Sequence, residues 1–122
     1  MTDSDLATGL RRFVERWNVS GRKILSRRLE GALNRDFLCT GPEGSFVLKL
    51  TRDEATLVPY TEKAAPHAVI MMGREDWRQV LSGRWSIMSI ILAGRAPFPK
   101  HQRRFLMQAS MLIQTAMLLE VR

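Results

Sequence analysis

The side chains able to carry out catalysis are few and widely spaced along this chain. The two histidines, His67 and His101, have no serine, cysteine or carboxylate at a spacing that indicates a nucleophile and its base. Cys39 lies in an apolar run, where a cysteine usually serves as a small buried hydrophobic residue. Glu75 and Asp76 begin a predicted helix, and the helix dipole favours carboxylates at that end. We therefore predict no catalytic residues and a protein that is not an enzyme.

Metal ions and phosphates also lack a recognisable site. One cysteine and two histidines are too few for a dedicated transition-metal site. A single cysteine cannot form an internal disulfide, which favours a reducing compartment. The Gly-Pro-Glu-Gly sequence at residues 41–44 is too short for a phosphate-binding loop, and no predicted helix follows it. We expect no metal, no cofactor and a cytoplasmic location.

Net charge is the first feature that points to a ligand. The 122-residue chain carries 19 Lys and Arg against 12 Asp and Glu, a net charge of +7, and such a balance attracts polyanions. Most of the excess lies in residues 11–35, and Lys100, Arg103 and Arg104 form a second cluster. A solvated basic helix face explains these charges most simply, and anionic lipid is the sharper alternative. Nucleic acid is less favoured, because no aromatic residues are interleaved with glycines as a base-stacking platform.

The end of the chain is more apolar than a surface helix needs to be. Residues 105–119 contain only four polar side chains, Gln108, Ser110, Gln114 and Thr115. A helix that is apolar nearly all round must be covered by core, lipid, a partner or a ligand. Methionines are frequent in the second half of the chain, and their flexible side chains either fill gaps in a core or line a cavity.

The periodicity of the remaining segments predicts a single α+β domain over residues 1–122, with helices packed on one face of a mostly antiparallel sheet. Two N-terminal helices are predicted in residues 1–33, a sheet with an inserted short helix in residues 36–99, and a long helix in residues 100–120. No stretch is apolar for long enough to span a membrane. The first residues lack the basic start and apolar run of a secretory signal.

Glycine and proline set finer boundaries within the sheet region. Residues 37–50 predict a hairpin about a Gly-Pro turn, and Pro59 limits the following strand to an edge or an end. Residues 74–81 predict a short helix, whereas residues 85–92 fit either a helix or a turn and strand. The two prolines of residues 97–99 confine any strand there to an edge of the sheet.

Residues 67–84, which read His-Ala-Val-Ile-Met-Met-Gly-Arg-Glu-Asp-Trp-Arg-Gln-Val-Leu-Ser-Gly-Arg, resemble the sterol carrier protein 2 (SCP2-like) family. In that family an apolar strand, here residues 69–72, precedes a short helix with an acidic start, here residues 75–77. The helix ends in Ser-Gly-Lys/Arg, here residues 82–84. The resemblance spans about residues 30–119.

One segment departs from the family pattern. The family continues from Gly-Lys into a lysine-rich strand that ends in Gly-Asp, whereas residues 95–101 read Arg-Ala-Pro-Phe-Pro-Lys-His. We therefore expect the last strand to be shortened or displaced, and the mouth of any cavity beside it to be reshaped.

The resemblance implies a sheet of about five strands, helices on one face, and an apolar tunnel between the two layers. It also implies binding or transfer of a sterol, fatty acyl or isoprenoid lipid, with the last helix as a tunnel wall. The expected lining residues are Trp85, Met88, Leu92, Phe105, Leu106, Ala109, Leu112, Ile113 and Ala116. The expected contacts with an anionic head group or membrane surface are Arg95, Lys100, Arg103 and Arg104.

An alternative function belongs to a different class. The apolar C-terminal helix would dock on a protein partner or on a second copy of the chain, which would then form a homodimer. Such an assembly or accessory module would serve a complex such as that of isoprenoid quinone biosynthesis, in which some bacterial relatives take part.

Overall fold

A computed structural model describes residues 5–21, 35–51, 54–63 and 66–118. Helix α1 is followed directly by a π-helical turn, and a 3-10 turn leads into the last helix. The elements in chain order are α1 (Asp5–Arg16), the π-helical turn (Trp17–Gly21), β1 (Arg35–Gly41), β2 (Gly44–Leu50), β3 (Ala55–Pro59), β4 (Ala68–Met71), α2 (Arg74–Leu81), α3 (Ile87–Leu92), the 3-10 turn (Lys100–Gln102) and α4 (Arg103–Leu118). The second helix predicted in residues 1–33 falls largely outside the described residues.

The four strands form one sheet in the order β3-β2-β1-β4. The predicted hairpin is confirmed, because β1 and β2 pair antiparallel from Arg35 opposite Leu50 to Gly41 opposite Gly44. Strand β3 lies at an edge and ends at Pro59, which is where a residue without an amide hydrogen is tolerated.

Strand β4 adds one parallel pairing to the mostly antiparallel sheet that was predicted. It pairs parallel to β1, with Phe37 opposite Ala68, whereas the β1–β2 and β2–β3 pairs are antiparallel. It is also the fourth strand of the described residues, where about five were expected. Because β3 and β4 run in the same direction at opposite edges, the connection between them must cross the sheet instead of closing a hairpin.

The last strand, which we expected to be shortened or displaced, is absent beside β4 in the described residues. Residues 95–99 form no strand, since Pro97 and Pro99 have no amide hydrogen to donate to a ladder. The N–H of Val69, on the outer edge of β4, donates instead to the Oε1 of Gln102 at 3.0 Å. One side chain thus satisfies a donor that a fifth strand would have paired.

The nearby sequence explains where helices α2 and α3 begin and end. α2 begins and ends at the residues predicted for it, and Gly83, with φ at 83°, lies just beyond its end. The indole N–H of Trp77 donates to the carbonyl of Thr40 at 2.9 Å, which holds α2 against the end of β1. Residues 87–92 form helix α3, which begins after Ser86, whose hydroxyl accepts from the N–H of Ser89.

The core lies between the sheet and α1, α2 and α4. Inward-facing Phe37 and Leu48 pack with the buried faces of these helices, and Phe13 stacks on Trp17 with ring centroids 6.3 Å apart. Cys39 is fully buried there, and burial raises the pKa of its thiol to about 12. Within the described ranges, no helix has both the length and the hydropathy needed to cross a bilayer.

Candidate functional site

The inner face of α4 belongs to a packed core in this structure. Five of the predicted lining residues are at most 1% exposed, namely Leu106, Ala109, Leu112, Ile113 and Ala116. Side chains buried to this extent border neither solvent nor a void that admits water. The tunnel that the resemblance implied is therefore not open along these five residues of α4, which pack within the hydrophobic core.

The other four predicted lining residues lie outside that interior. Leu92 is 82% exposed and Trp85 is 44% exposed, while Met88 and Phe105 are half-buried. The ring of Phe105 lies 5.1 Å from the Arg35 guanidinium and meets the His67 ring edge-on at 6.0 Å. The structure therefore does not bring the nine predicted residues together around one chamber.

Arg95 is the predicted head-group contact with the most specific environment. Its Nη2 lies 3.0 Å from the Oδ1 of Asp76, in the first turn of α2. The Asp76 side chain is 8% exposed and that of Arg95 is 56% exposed. A carboxylate this buried needs a cationic partner. A guanidinium has five N–H donors arranged as a fork, so the contact with Asp76 leaves other donors directed toward solvent.

Arg95 borders two open clefts. The larger cleft has a volume of about 440 Å³ and lies where the parallel strands β1 and β4 end. Its lining is mainly apolar and consists of Thr40, Gly41, Pro42, Met71, Met72, Gly73, Arg95 and Pro97. The smaller cleft, about 140 Å³, lies between α2 and α3 and includes Trp85. Since small-molecule sites usually measure about 300–1,000 Å³, only the larger cleft has room for a sizeable ligand. We call it the Arg95 cleft.

The Arg95 cleft exists because residues 95–99 do not pair with β4. A strand there would cover the outer edge of β4 along its length. Instead Gln102 caps the edge at Val69, and Met71, two residues further along the same edge, stays half-exposed in the cleft. The proline-containing segment thus leaves an apolar opening with Arg95 at its margin.

The other predicted head-group contacts begin α4. Lys100 lies in the 3-10 turn, and Arg103 and Arg104 are the first two residues of the helix. All three are exposed, and the Arg103 guanidinium lies 5.0 Å from the centre of the Phe98 ring. Arg95 does not belong to this cluster, because its ion-pair partner, Asp76, is on α2.

His67 and Cys39, two residues of types used in catalysis, make structural contacts here. The Nδ1 of His67 accepts the N–H of Asp36 at 3.1 Å, so this ring helps to join β4 to β1. Cys39 is buried and its raised pKa keeps the thiol protonated. Across the described part of the chain, no three His, Cys, Asp or Glu side chains converge as metal ligands would.

Solved structures of two proteins share this architecture. The sterol carrier protein domain 2 of Helicoverpa armigera superposes with a TM-score of 0.68 at 13% sequence identity, over 98% of this chain and 94% of that one. A conserved hypothetical protein of Thermus thermophilus superposes with a TM-score of 0.56 at 14% identity, over 95% of this chain and 90% of that one. This chain has an SCP2-like fold. No protein-family model matches the sequence, and no curated protein does so.

The SCP2-like fold confirms the expected architecture and gives the Arg95 cleft its context. The cleft is beside the segment where the sequence departs from the family pattern. Sequence reasoning named Arg95 but missed Met71, Met72 and Pro42, because these residues come from other strands and turns. Proximity to a predicted strand end was the one signal that pointed to Met71, and nothing local linked Asp76 to Arg95.

Proposed function

We propose that this protein binds an apolar lipid with an anionic head group and carries it without catalysing a reaction. The observation that carries the proposal is the Arg95 cleft, in which an apolar wall formed by Met71 and Pro97 ends at a guanidinium. The SCP2-like fold supports the same function, since a sterol carrier protein domain shares it.

The apolar wall of the cleft and the Arg95 guanidinium contribute to binding in different ways. Apolar atoms of the ligand leave water against Met71, Pro42 and Pro97, and burial contributes about 25 cal/mol per Å² of apolar surface. Arg95 orients the head group through charge-assisted hydrogen bonds, while Asp76 holds the guanidinium at the margin of the cleft. Because Met71 is flexible, the cleft accepts acyl chains of varied shape.

The predicted lining residues of α4 complete the proposal for longer ligands. Met72 closes the floor of the Arg95 cleft and belongs to the same buried cluster as Leu106 and Ala109. A chain too long for the cleft would displace Met72 and pack against the inner face of α4. In this proposal the ligand opens the interior by displacing side chains that pack there.

The assembly alternative requires a protein surface over the outer face of α4. That face exposes Met107 and Met111, and its only charged residues, Arg103 and Arg104, are cations at its N-terminal end, which favours a surface of anionic lipid as its occupant. Light scattering and a lipid extract of the purified protein together separate the two functions, because a carrier is monomeric with bound lipid and a homodimeric assembly module is dimeric without it.

Titration with a fluorescent fatty acid tests the lipid-binding proposal. We expect Arg95→Gln to weaken binding by on the order of tenfold, the effect of losing a charge-assisted hydrogen bond. Arg84→Gln is the control, because it removes an exposed arginine that does not line the cleft. A fluorescent fatty alcohol should bind both variants and the parent protein equally, since it has no anionic head group.

A second variant tests the cleft without breaking the ion pair of Arg95 with Asp76, whose loss could affect folding. Met71 is half-exposed at the edge of the sheet, so Met71→Glu should fold while placing a carboxylate in the apolar wall. We expect it to weaken binding of both the acid and the alcohol, whereas Val58→Glu, at another exposed strand position, should not. Fatty acid binding that is unchanged in both Arg95→Gln and Met71→Glu would refute the cleft as the site.

A further inference from the structure

The part of the chain that contains α3 and α4 has no acidic side chains. Residues 77–118 include no Asp or Glu, although the chain has 12 of them. The same segment contains six Lys and Arg residues, namely Arg78, Arg84, Arg95, Lys100, Arg103 and Arg104. Two of these charges are paired with carboxylates just before the segment, Arg78 with Glu75 and Arg95 with Asp76. The segment itself supplies no carboxylate to pair with Lys100, Arg103 and Arg104.

The same segment supplies most of the exposed apolar surface. Nine large hydrophobic side chains are exposed among the described residues, and five of them are in this segment: Trp85, Leu92, Met107, Met111 and Leu118. The three from α4 are 50–63% exposed. Since they are four and seven residues apart, they lie along one side of the helix.

Arg103 and Arg104 lie at the N-terminal end of that side of α4. Arg104 precedes Met107 by three residues, which places both on one helical face. We call the exposed side formed by Arg103, Arg104, Met107, Met111 and Leu118 the basic apolar face. It combines a positively charged end with a stripe of exposed apolar side chains.

Contacts on the other sides of α4 keep this face turned outward. The hydroxyl of Ser110 accepts the N–H of Met88 at 3.1 Å, which fixes α3 beside the middle of α4. The guanidinium of Arg16 donates to the carbonyl of Met117, which fixes α1 near the end of the helix. Rotation of α4 to hide the methionines would break these contacts.

We propose that the basic apolar face docks on the surface of an anionic lipid bilayer. Exposed apolar side chains of a surface helix enter the boundary between head groups and acyl chains, and basic side chains at the same level pair with lipid phosphates. Trp85, exposed in the same segment, is of the residue type favoured at that boundary.

A second copy of the chain fits this face less well. A parallel pair of such faces would bring Arg103 and Arg104 of both copies together, and an antiparallel pair would set them beside the apolar Leu118 end. In neither arrangement do residues 77–118 offer a carboxylate to compensate them. The proposal is independent of the Arg95 cleft, whose wall includes none of the five residues of the basic apolar face. Ligand binding in the cleft and docking of α4 therefore fail separately.

Co-sedimentation with lipid vesicles tests the proposal. The vesicles contain phosphatidylcholine alone or equal parts of phosphatidylcholine and phosphatidylglycerol. We expect the parent protein to partition on the order of tenfold more strongly onto the anionic vesicles, and high salt should remove much of the difference.

Paired variants locate the contact on α4. Met107→Gln with Met111→Gln should reduce partitioning by about tenfold without changing net charge, whereas Val19→Thr with Val58→Thr, two exposed apolar positions elsewhere, should leave it within about twofold. Arg103→Gln with Arg104→Gln should reduce partitioning onto anionic vesicles by about 25-fold, at roughly fivefold per charge. Arg11→Gln with Arg12→Gln makes the same change in net charge on α1 and should have a much smaller effect.

Two results would overturn the proposal. Equal losses in the two arginine pairs would show a general attraction by net charge rather than docking of this face. A parent protein that ignores anionic vesicles but is dimeric by light scattering, and becomes monomeric with Met107→Gln and Met111→Gln, would show that a second copy covers the face.

Discussion

Arg95 Nη2 lies 3.0 Å from Asp76 Oδ1, and this ion pair joins the segment that follows α3 to the first turn of α2. The two side chains differ in exposure, because the carboxylate is almost wholly buried and the guanidinium is half in solvent. The pair holds Arg95 between the two clefts that it borders.

Because the two side chains differ in exposure, we expect the loss of each to lower the free energy of unfolding by a different amount. Arg95→Gln leaves a buried carboxylate without a cation, and we expect a loss of about 2 kcal/mol in the free energy of unfolding, less than for a fully buried pair. Asp76→Asn leaves an arginine that water can solvate, and we expect a loss of about 1 kcal/mol. Urea unfolding of both single variants and the double variant measures the coupling between them, which we expect to be about 1 kcal/mol. Strictly additive losses would mean that the pair contributes nothing to stability.

Features with local signals could be predicted from the sequence. Helix α2 begins and ends where it was predicted, because Glu75 and Asp76 favour its first turn and Gly83 suits the position after its end. The hairpin of β1 and β2 follows from its turn and its alternating side chains. Pro59 placed β3 at the edge, because a proline cannot donate to a ladder.

Features that depend on distant partners could not be predicted. The direction of β4 depends on whether the chain after β3 turns back or crosses the sheet, and neither choice has a local signal. The pairing of Asp76 with Arg95 joins two elements that the sequence does not link. The apolar inner face of α4 was predicted, but apolar residues serve equally well beside protein side chains or beside a ligand. Composition therefore did not reveal that Leu112 and Ala116 are packed.

Ala109→Trp distinguishes a packed interior from a hollow one. Ala109 is almost fully buried on the inner face of α4, so an indole there must push its neighbours apart. We expect the free energy of unfolding in urea to fall by about 3 kcal/mol. Met107→Trp introduces the same side chain on the exposed face of the same helix and should change stability by less than about 0.5 kcal/mol. An Ala109→Trp protein as stable as its parent would show that the interior contains room for the ring.

The burial of Cys39 makes the free energy of unfolding fall as the pH rises above about 9. Desolvation raises the pKa of its thiol from 9.0 to about 12, so the unfolded chain loses this proton at a lower pH than the folded one. The stabilisation is complete below about pH 9 and is lost as the pH rises toward about 12, at up to about 1.4 kcal/mol per pH unit. Urea unfolding between about pH 8 and about pH 10.5 should therefore show a steeper decline for the parent protein than for Cys39→Ala, because every other titratable group is common to both proteins. Parallel declines, or rapid alkylation of Cys39 by iodoacetamide in the native protein at about pH 8, would contradict a thiol held in the core.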